Sequence, residues 1–313
     1  TVVVISTMSF IIIQLPPGDY LTTYTANLQA QGTYVSEDIL KSLEQRYGLN
    51  QPMHIQYFRW VKGLLRLDFG MSFQYEQPVF ELVWERFLLT VAISFSSLVF
   101  TWIVAFPIGV YSATNQYSIG DYLFTIIGFV GRATPDFMLA LILMWFSYSR
   151  FGMATWGLFS EQYVDAPWNL AKVWDMLRHL WIPVIIISTS GAAGLIRVMR
   201  ANLLDELRKP YVTTAKAKGL SGFKTVWKYP VRLAANPFIS VIGWSLPQLV
   251  SGATIVSVVL SLPTSGPLFL RALQSQDMYL AGGFVFLLSS LTVIGTFISD
   301  ILLVIVDPRI RYG

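Results

Sequence analysis

Along most of this chain apolar residues do not alternate with polar ones; they gather into long blocks. Six stand out, at about 1–15, 87–113, 122–147, 181–198, 235–260 and 283–306. Five are long enough to cross a bilayer whose hydrocarbon core is ~30 Å thick, at ~1.5 Å per helical residue. The first covers roughly 22 Å on the same rise, and residues preceding Thr1 are expected to complete it. The pattern predicts an all-α membrane protein of six transmembrane helices.

Between the first two blocks the periodicity changes. Ile39, Leu40, Leu43 and Tyr47 recur at helical spacing behind Ser36, a capping residue, and ahead of Gly48, a helix stop. A second amphipathic pattern covers 55–67. Residues 16–86 therefore read as a small helical segment outside the membrane, with 1–15 as transmembrane helix 1, incomplete at its N-terminus. Residues 87–313 form a core domain holding helices 2–6. No internal repeat is visible, which counts against a carrier built from two inverted halves.

Composition agrees with membrane embedding. Hydrophobic residues make up 54% and charged residues 13%, about half the ~25% of soluble domains, and the mean hydropathy is +0.55. The chain has no cysteine and only two histidines, His54 and His179, far apart. Thiolate chemistry, disulfides and a dedicated metal site have nothing to build on. A membrane enzyme would need a nucleophile or metal constellation that these residues do not supply.

Charge gives direction. Residues 16–85 carry five basic against eight acidic side chains, whereas 200–232 carry eight basic against two acidic. Cytoplasmic segments are enriched in Lys and Arg, so 200–232 is expected inside, 16–86 outside and both termini in the cytoplasm. The net charge of +4 belongs to that bias, and no nucleic-acid partner is implied.

The segment between the fourth and fifth blocks is the most informative. After Arg197 and Arg200, Pro210 can open a short helix, because its missing N–H costs nothing in a first turn. Tyr211 to Lys218 makes two turns, Gly219 stops it and Ser221 can begin the next helix. Small side chains at Thr214, Ala215 and Ala217 permit close approach, and Tyr211 offers an aromatic anchor. Two readings stay open from these residues: a docking surface, or a basic loop that merely obeys the charge rule.

The run Tyr211-Val212-Thr213-Thr214-Ala215-Lys216-Ala217-Lys218-Gly219-Leu220-Ser221 resembles the ATPase-coupling motif of binding-protein-dependent ABC importer permeases, in the version of the dipeptide, oligopeptide and nickel permeases, of the first-permease type. Further runs carry the resemblance along nearly the whole chain. Pro17-Gly18-Asp19 follows the first block. Tyr47-Gly48-Leu49-Asn50-Gln51-Pro52 is similar to an "LGLDQP" pattern, and Asp68-Phe69-Gly70-Met71-Ser72 to "GDLG-S". Arg197 and Arg200 match two arginines ahead of the coupling helix, Asp277 matches an "RDYP" region, and Asp307-Pro308-Arg309-Ile310-Arg311-Tyr312 a terminal "DPRIRY". The chain departs from the pattern with Thr213-Thr214-Ala215 in place of Glu-Ala-Ala, and with Leu262-Pro263-Thr264-Ser265-Gly266 in place of Pro-Gly-x-Gly.

The resemblance implies a permease subunit in a bacterial or archaeal cytoplasmic membrane. Its implied partners are a second homologous permease in a heterodimer, two cytoplasmic ATPase subunits or domains, an extracytoplasmic solute-binding protein and membrane lipid. It implies ATPase coupling by Tyr211, Val212, Thr214, Ala215, Ala217, Lys218, Gly219 and Leu220 near 210–220, and structural or gating roles for Arg197, Arg200 and Asp277. The sequence contains no Gly-Lys dipeptide and hence no P-loop. This chain is then no enzyme and binds no cofactor; ATP and Mg are expected on the partner ATPases. Members of the family carry peptides, nickel complexes or, in some branches, oligosaccharides. Peptide is the preferred solute; Trp102, Trp145, Trp156, Trp168 and Trp174 keep oligosaccharide as the alternative.

Charges at membrane depth are costly and point to function. Arg132, Pro135 and Asp136 fall inside the third block, where the family has a Ser/Pro/Phe pattern. Arg132 and Asp136 are four apart and are expected to share a helix face, either lining the solute path or pairing to fix packing. An ion-coupled secondary transporter is the alternative from another class: it accounts for these charges, but not for the segment at 210–220. Asp300 is expected to snorkel or to pair with Arg309.

Overall fold

The structure is a computed structural model, and it describes residues 2–15, 18–32, 36–152, 156–240 and 254–306. Within these, no strand forms; the chain is helical, with one isolated bridge between Met71 and Pro78. The helices are α1 Val2–Gln14, α2 Tyr20–Ala30, α3 Glu37–Tyr47, α4 Met53–Leu64, α5 Val79–Thr114, α6 Ile119–Ala133, α7 Asp136–Phe151, α8 Leu170–Leu207, α9 Pro210–Ala217, α10 Gly222–Lys228, α11 Pro230–Ala234, α12 Asn236–Ser240, α13 Thr254–Val259, α14 Ser265–Gln274 and α15 Met278–Val306. Among the described residues three helices are long and apolar enough to cross a membrane: α5, α8 and α15. α6 and α7 together make a fourth candidate, bent by 103° at their junction.

Two compact units divide the chain. The first unit comprises 1–90 and 264–291. Its centre is aromatic: Tyr47 lies 4.6 Å from Phe73, and Phe73 5.2 Å from Tyr279. Gly70, at φ +80°, is fixed by that packing, since a Cβ there would sit 2.5 Å from the Tyr279 ring. α3 starts after Ser36, in extended backbone, and ends on Gly48 in the left-handed conformation. Its inward face differs from the spacing-based expectation in one place: Ile39 is exposed, while Leu40, Leu43 and Tyr47 are half-buried. In sequence, 16–86 is a segment of its own. The compact unit also takes in α14 and the start of α15, a grouping that sequence order hides.

The second unit comprises 91–263 and 292–313. Here α8 is the axis, packed by α6, α7, α11, α12 and α13. Its apolar core joins Ala105 and Val110 of α5, Leu195, Met199 and Leu203 of α8, Val231 and Ala234 of α11 and Phe238 of α12. Glycines let helices close on it: a Cβ on Gly109 would meet Met199 at 2.6 Å, and one on Gly131 would meet Thr189 at 2.6 Å. Gly191 and Gly194, spaced three apart, make no such close approach within the described residues. Gly191 has only ordinary contact with Thr101, and Gly194 faces open space.

The 122–147 block is where one continuous crossing was expected. Thr134 cannot stay helical ahead of Pro135, and it turns to φ −80°, ψ 122°. α7 restarts at Asp136, and the Pro135 carbonyl accepts from the N–H groups of Met138 and Leu139. The fourth block, 181–198, is the middle of a longer helix. Of the fifth, at 235–260, residues 241–253 lie outside the described residues, as do Pro17, Arg309 and the terminal run at 307–312.

Candidate functional site

α8 stays helical past its apolar stretch to Leu207, and Arg208 and Lys209 then turn the chain into α9. Pro210 occupies the first helical position of α9. The C-terminal end closes on both sides of Gly219, at φ +81°. The Gly219 N–H donates to the Lys216 carbonyl at 2.9 Å, and the Leu220 N–H donates to the Ala215 carbonyl at 3.3 Å. That pair of bonds around a left-handed glycine is a Schellman stop. α9 is thus a short helix with both ends fixed by sequence.

Its faces are unequal. Val212 and Ala215 are 2% and 6% exposed, whereas Thr213, Thr214, Ala217 and Lys218 point to solvent. Ala215, like Val212, faces its own chain, where its small side chain lets α9 settle close. Tyr211 is also used internally. Its hydroxyl donates to Glu206 Oε2 at 2.6 Å, which ties α9 to the last turn of α8, and its ring lies 6.4 Å from that of Tyr229. Burial, followed by the Glu206 bond, pushes the Tyr211 phenol above its usual range, so it remains a neutral donor. Beside α9, α10 starts behind Ser221 and presents Phe223, 75% exposed, with its ring 5.9 Å from that of Trp227 and tilted 43° to it. The outward surface therefore includes Thr213, Thr214, Lys216, Ala217 and Lys218, together with a ring pair that the motif alone does not mark.

Arg200 sits two turns before the end of α8. Its Nε donates to Asp121 Oδ1 at 3.0 Å and its Nη2 to Asp121 Oδ2 at 2.9 Å, a bidentate pair. The Asp121 side chain is 4% exposed and that of Arg200 28%. Tyr117 donates a backbone N–H to the same carboxylate at 3.0 Å, and Ser118 caps α6 by accepting from the Asp121 N–H. Sequence reasoning missed Asp121, although Ser118-x-x-Asp121 has the spacing of a helix start. Arg197, one turn earlier, has its guanidinium 5.2 Å from the Phe129 ring centroid.

Arg132 and Asp136 are not on one face. The helix break lies between them, and among the described residues no ion pair joins them. Arg132 is exposed in the last turn of α6, and Asp136 is half-buried in the first turn of α7. Each sits at the helix end whose dipole favours its charge.

Asp277 is fully buried (0% exposed). Ser72 Oγ donates to its Oδ2 at 2.5 Å, the Gln74 N–H donates to the same oxygen at 3.1 Å, and the Leu280 N–H donates to Oδ1 at 3.1 Å. The runs at 68–72 and 276–279 thus meet, and Asp277 caps α15. Burial raises its carboxyl above the ordinary range, against the pull of these donors.

Comparison with known proteins decides what this arrangement belongs to. Residues 105–312 match the family "Binding-protein-dependent transport system inner membrane component", and residues 1–94 match its N-terminal membrane component. The chain belongs to this family. The oligopeptide transport system permease protein AppB of Bacillus subtilis is 31% identical over 98% of this chain and 94% of its own. The oligopeptide transport system permease protein OppB of Haemophilus influenzae is 29% identical over 100% and 95%. The dipeptide transport system permease protein DppB of Alkalihalophilus pseudofirmus is 28% identical over 97% and 94%. In fold, the chain is similar to the MetNI methionine ABC transporter in its inward-facing conformation, with a TM-score of 0.52 at 17% identity, covering 72% of this chain and 96% of that one. The all-helical permease fold and membership of an inner-membrane transport family are thereby shown.

Proposed function

We propose that this permease is one transmembrane subunit of an ATP-driven, binding-protein-dependent importer of oligopeptides or dipeptides. One observation carries the reading: α9, stopped at Pro210 and Gly219, presents Thr213, Thr214, Ala217 and Lys218 outward from the end of α8, in a chain of this family. ATP shifts a transport equilibrium only through contacts that differ between two states. In this reading two cytoplasmic ATPases make those contacts on α9 and on the Phe223/Trp227 pair, and supply ATP and Mg. α8, tied to α9 by Tyr211–Glu206 and to α6 by Asp121–Arg200, carries the displacement towards the broken segment at 134–135. There Arg132, Pro135 and Asp136 line the solute path. Arg197 and Asp277 act in support, one at the cytoplasmic interface and one outside.

The chain crosses the membrane six times with both termini in the cytoplasm, and 16–86 lies outside, facing the solute-binding protein. A second permease completes the path as a heterodimer. The names of the relatives favour peptide over oligosaccharide. Of the tryptophans, Trp102 is used internally, packed on Phe238.

The test is to tag the chain, purify it gently from native membranes and identify what accompanies it. Two P-loop ATPases, a second permease and a binding protein loaded with peptide are expected. A chain isolated alone, or as a homo-oligomer with no ATPase, overturns the reading in favour of a secondary transporter.

A further inference from the structure

Arg197 and Arg200 lie one turn apart on α8 and are treated differently. Arg200 is matched by Asp121, but among the described residues no carboxylate pairs with Arg197. Both arginines line a cleft of about 270 Å³ between α6 and α8. Two guanidinium groups and one carboxylate leave the cleft with a single excess positive charge. Gly128, Ala193, Ile196 and Phe124 give it an apolar lining. Phe129 forms one wall, with the Arg197 guanidinium over its ring. The outer side of α6 continues from the cleft as exposed Ile126, Ile127 and Val130.

We infer that this cleft binds the phosphate of one anionic phospholipid, held by Arg197, with the acyl chains lying along α6. Charge and polarity select this occupant. The guanidinium fork suits a phosphate's oxygens, and its stacking on Phe129 holds it in place with little rotamer freedom left to lose. Arg197 lies at the end of the apolar 181–198 stretch, one turn before Arg200 and the basic run, where headgroups meet hydrocarbon. Basic pockets between transmembrane helices on this side of a membrane are suited to lipid headgroups. Free inorganic phosphate shares the headgroup chemistry but has no use for the apolar face of α6. A peptide solute would place backbone polar groups against that face without partners. The inference rests on the orientation proposed above only for the leaflet, the inner one; the site itself stands on the geometry of α6 and α8.

The test is native mass spectrometry of the full chain, purified with whatever subunits accompany it and offered phosphatidylglycerol or phosphatidylcholine. No ATP or solute is added, so the readout does not depend on the importer reading. Wild-type protein is expected to retain phosphatidylglycerol over phosphatidylcholine. Arg197→Gln is expected to cut that retention at least fivefold, with Arg197→Lys in between as the control for folding. Equal retention by Arg197→Gln overturns the site. Displacement of phosphatidylglycerol by millimolar inorganic phosphate overturns the lipid in favour of the free anion. Because the chain lacks cysteine, a single Tyr122→Cys substitution adds a second arm. Cross-linking of that position to a neighbouring permease, with no lipid retained, overturns the inference in favour of a subunit contact.

Discussion

Arg132 with Asp136, and Asp121 with Arg200, are both acid–base couples of the second unit, and the structure treats them in opposite ways. The first couple is four residues apart and stays open, because a proline break comes between. The second is separated by 79 residues and closes into a bidentate bond. Helical spacing implies a shared face only while the helix lasts. A long-range pair needs two helices that already pack, and α6 packs on α8. The closed pair ties α6 to α8; among the described residues the open one has no ion-pair partner.

The largest effect should come from breaking the closed pair. Asp121→Ala strands a guanidinium and should lower the stability of the purified protein by about 3 kcal/mol, the lower end for buried pairs because Arg200 is partly exposed. Arg200→Ala should cost a similar amount, and the double variant less than the sum; thermal unfolding of all three measures the coupling. Next in size is Gly131→Val. The added side chain must displace Thr189, at a cost of about 1–3 kcal/mol, and it should loosen the end of α6 beside the break. A lowered melting temperature checks the first part, and faster hydrogen exchange at 130–134 the second.

A third carboxylate, Asp277, sharpens the comparison because donors rather than a cation hold it. Its folded-state affinity for a proton exceeds that of the unfolded chain. The associated stability is therefore full below the ordinary carboxylate range and is lost as pH rises through the raised value. Melting temperature should fall with pH across that window in the wild type, and Asp277→Asn should flatten the slope. The smallest structural effect belongs to the open couple. Arg132→Ala with Asp136→Ala should change stability by at most about 0.5 kcal/mol, since among the described residues neither has an ion-pair partner to lose. The same double variant should lower peptide uptake by reconstituted protein at least severalfold. Unchanged transport kinetics would remove these residues from the path.

These cases also mark what the sequence can carry. Gly48 and Gly219 stop helices where the pattern puts their ends, and Pro210 opens α9, because caps and stops are local chemistry. The break at Pro135 was local too, yet hydropathy averages over it and reads one crossing. The inward turn of Val212 and Ala215 depends on how α9 lies on its own chain, and a motif does not state which face is free. Asp121 was invisible as a partner of Arg200 because no short-range signal connects α6 with α8. Ser72 and Asp277 each stood in a run similar to the family pattern, but their meeting is tertiary. Phe223 and Trp227 lie outside the motif at 211–221, and nothing in their spacing marks the ring pair they form on α10.

The central claim is that α9 is the surface through which partner ATPases drive this permease. The most direct measurement uses the chain's lack of cysteine. Thr214→Cys, Ala217→Cys and, as the inward control, Val212→Cys are placed singly, and cross-linking to a copurifying ATPase is followed with and without ATP. The account predicts cross-links from positions 214 and 217 whose yield changes with ATP, and none from 212. Cross-links from all three alike, or from none while an ATPase is present, would contradict it.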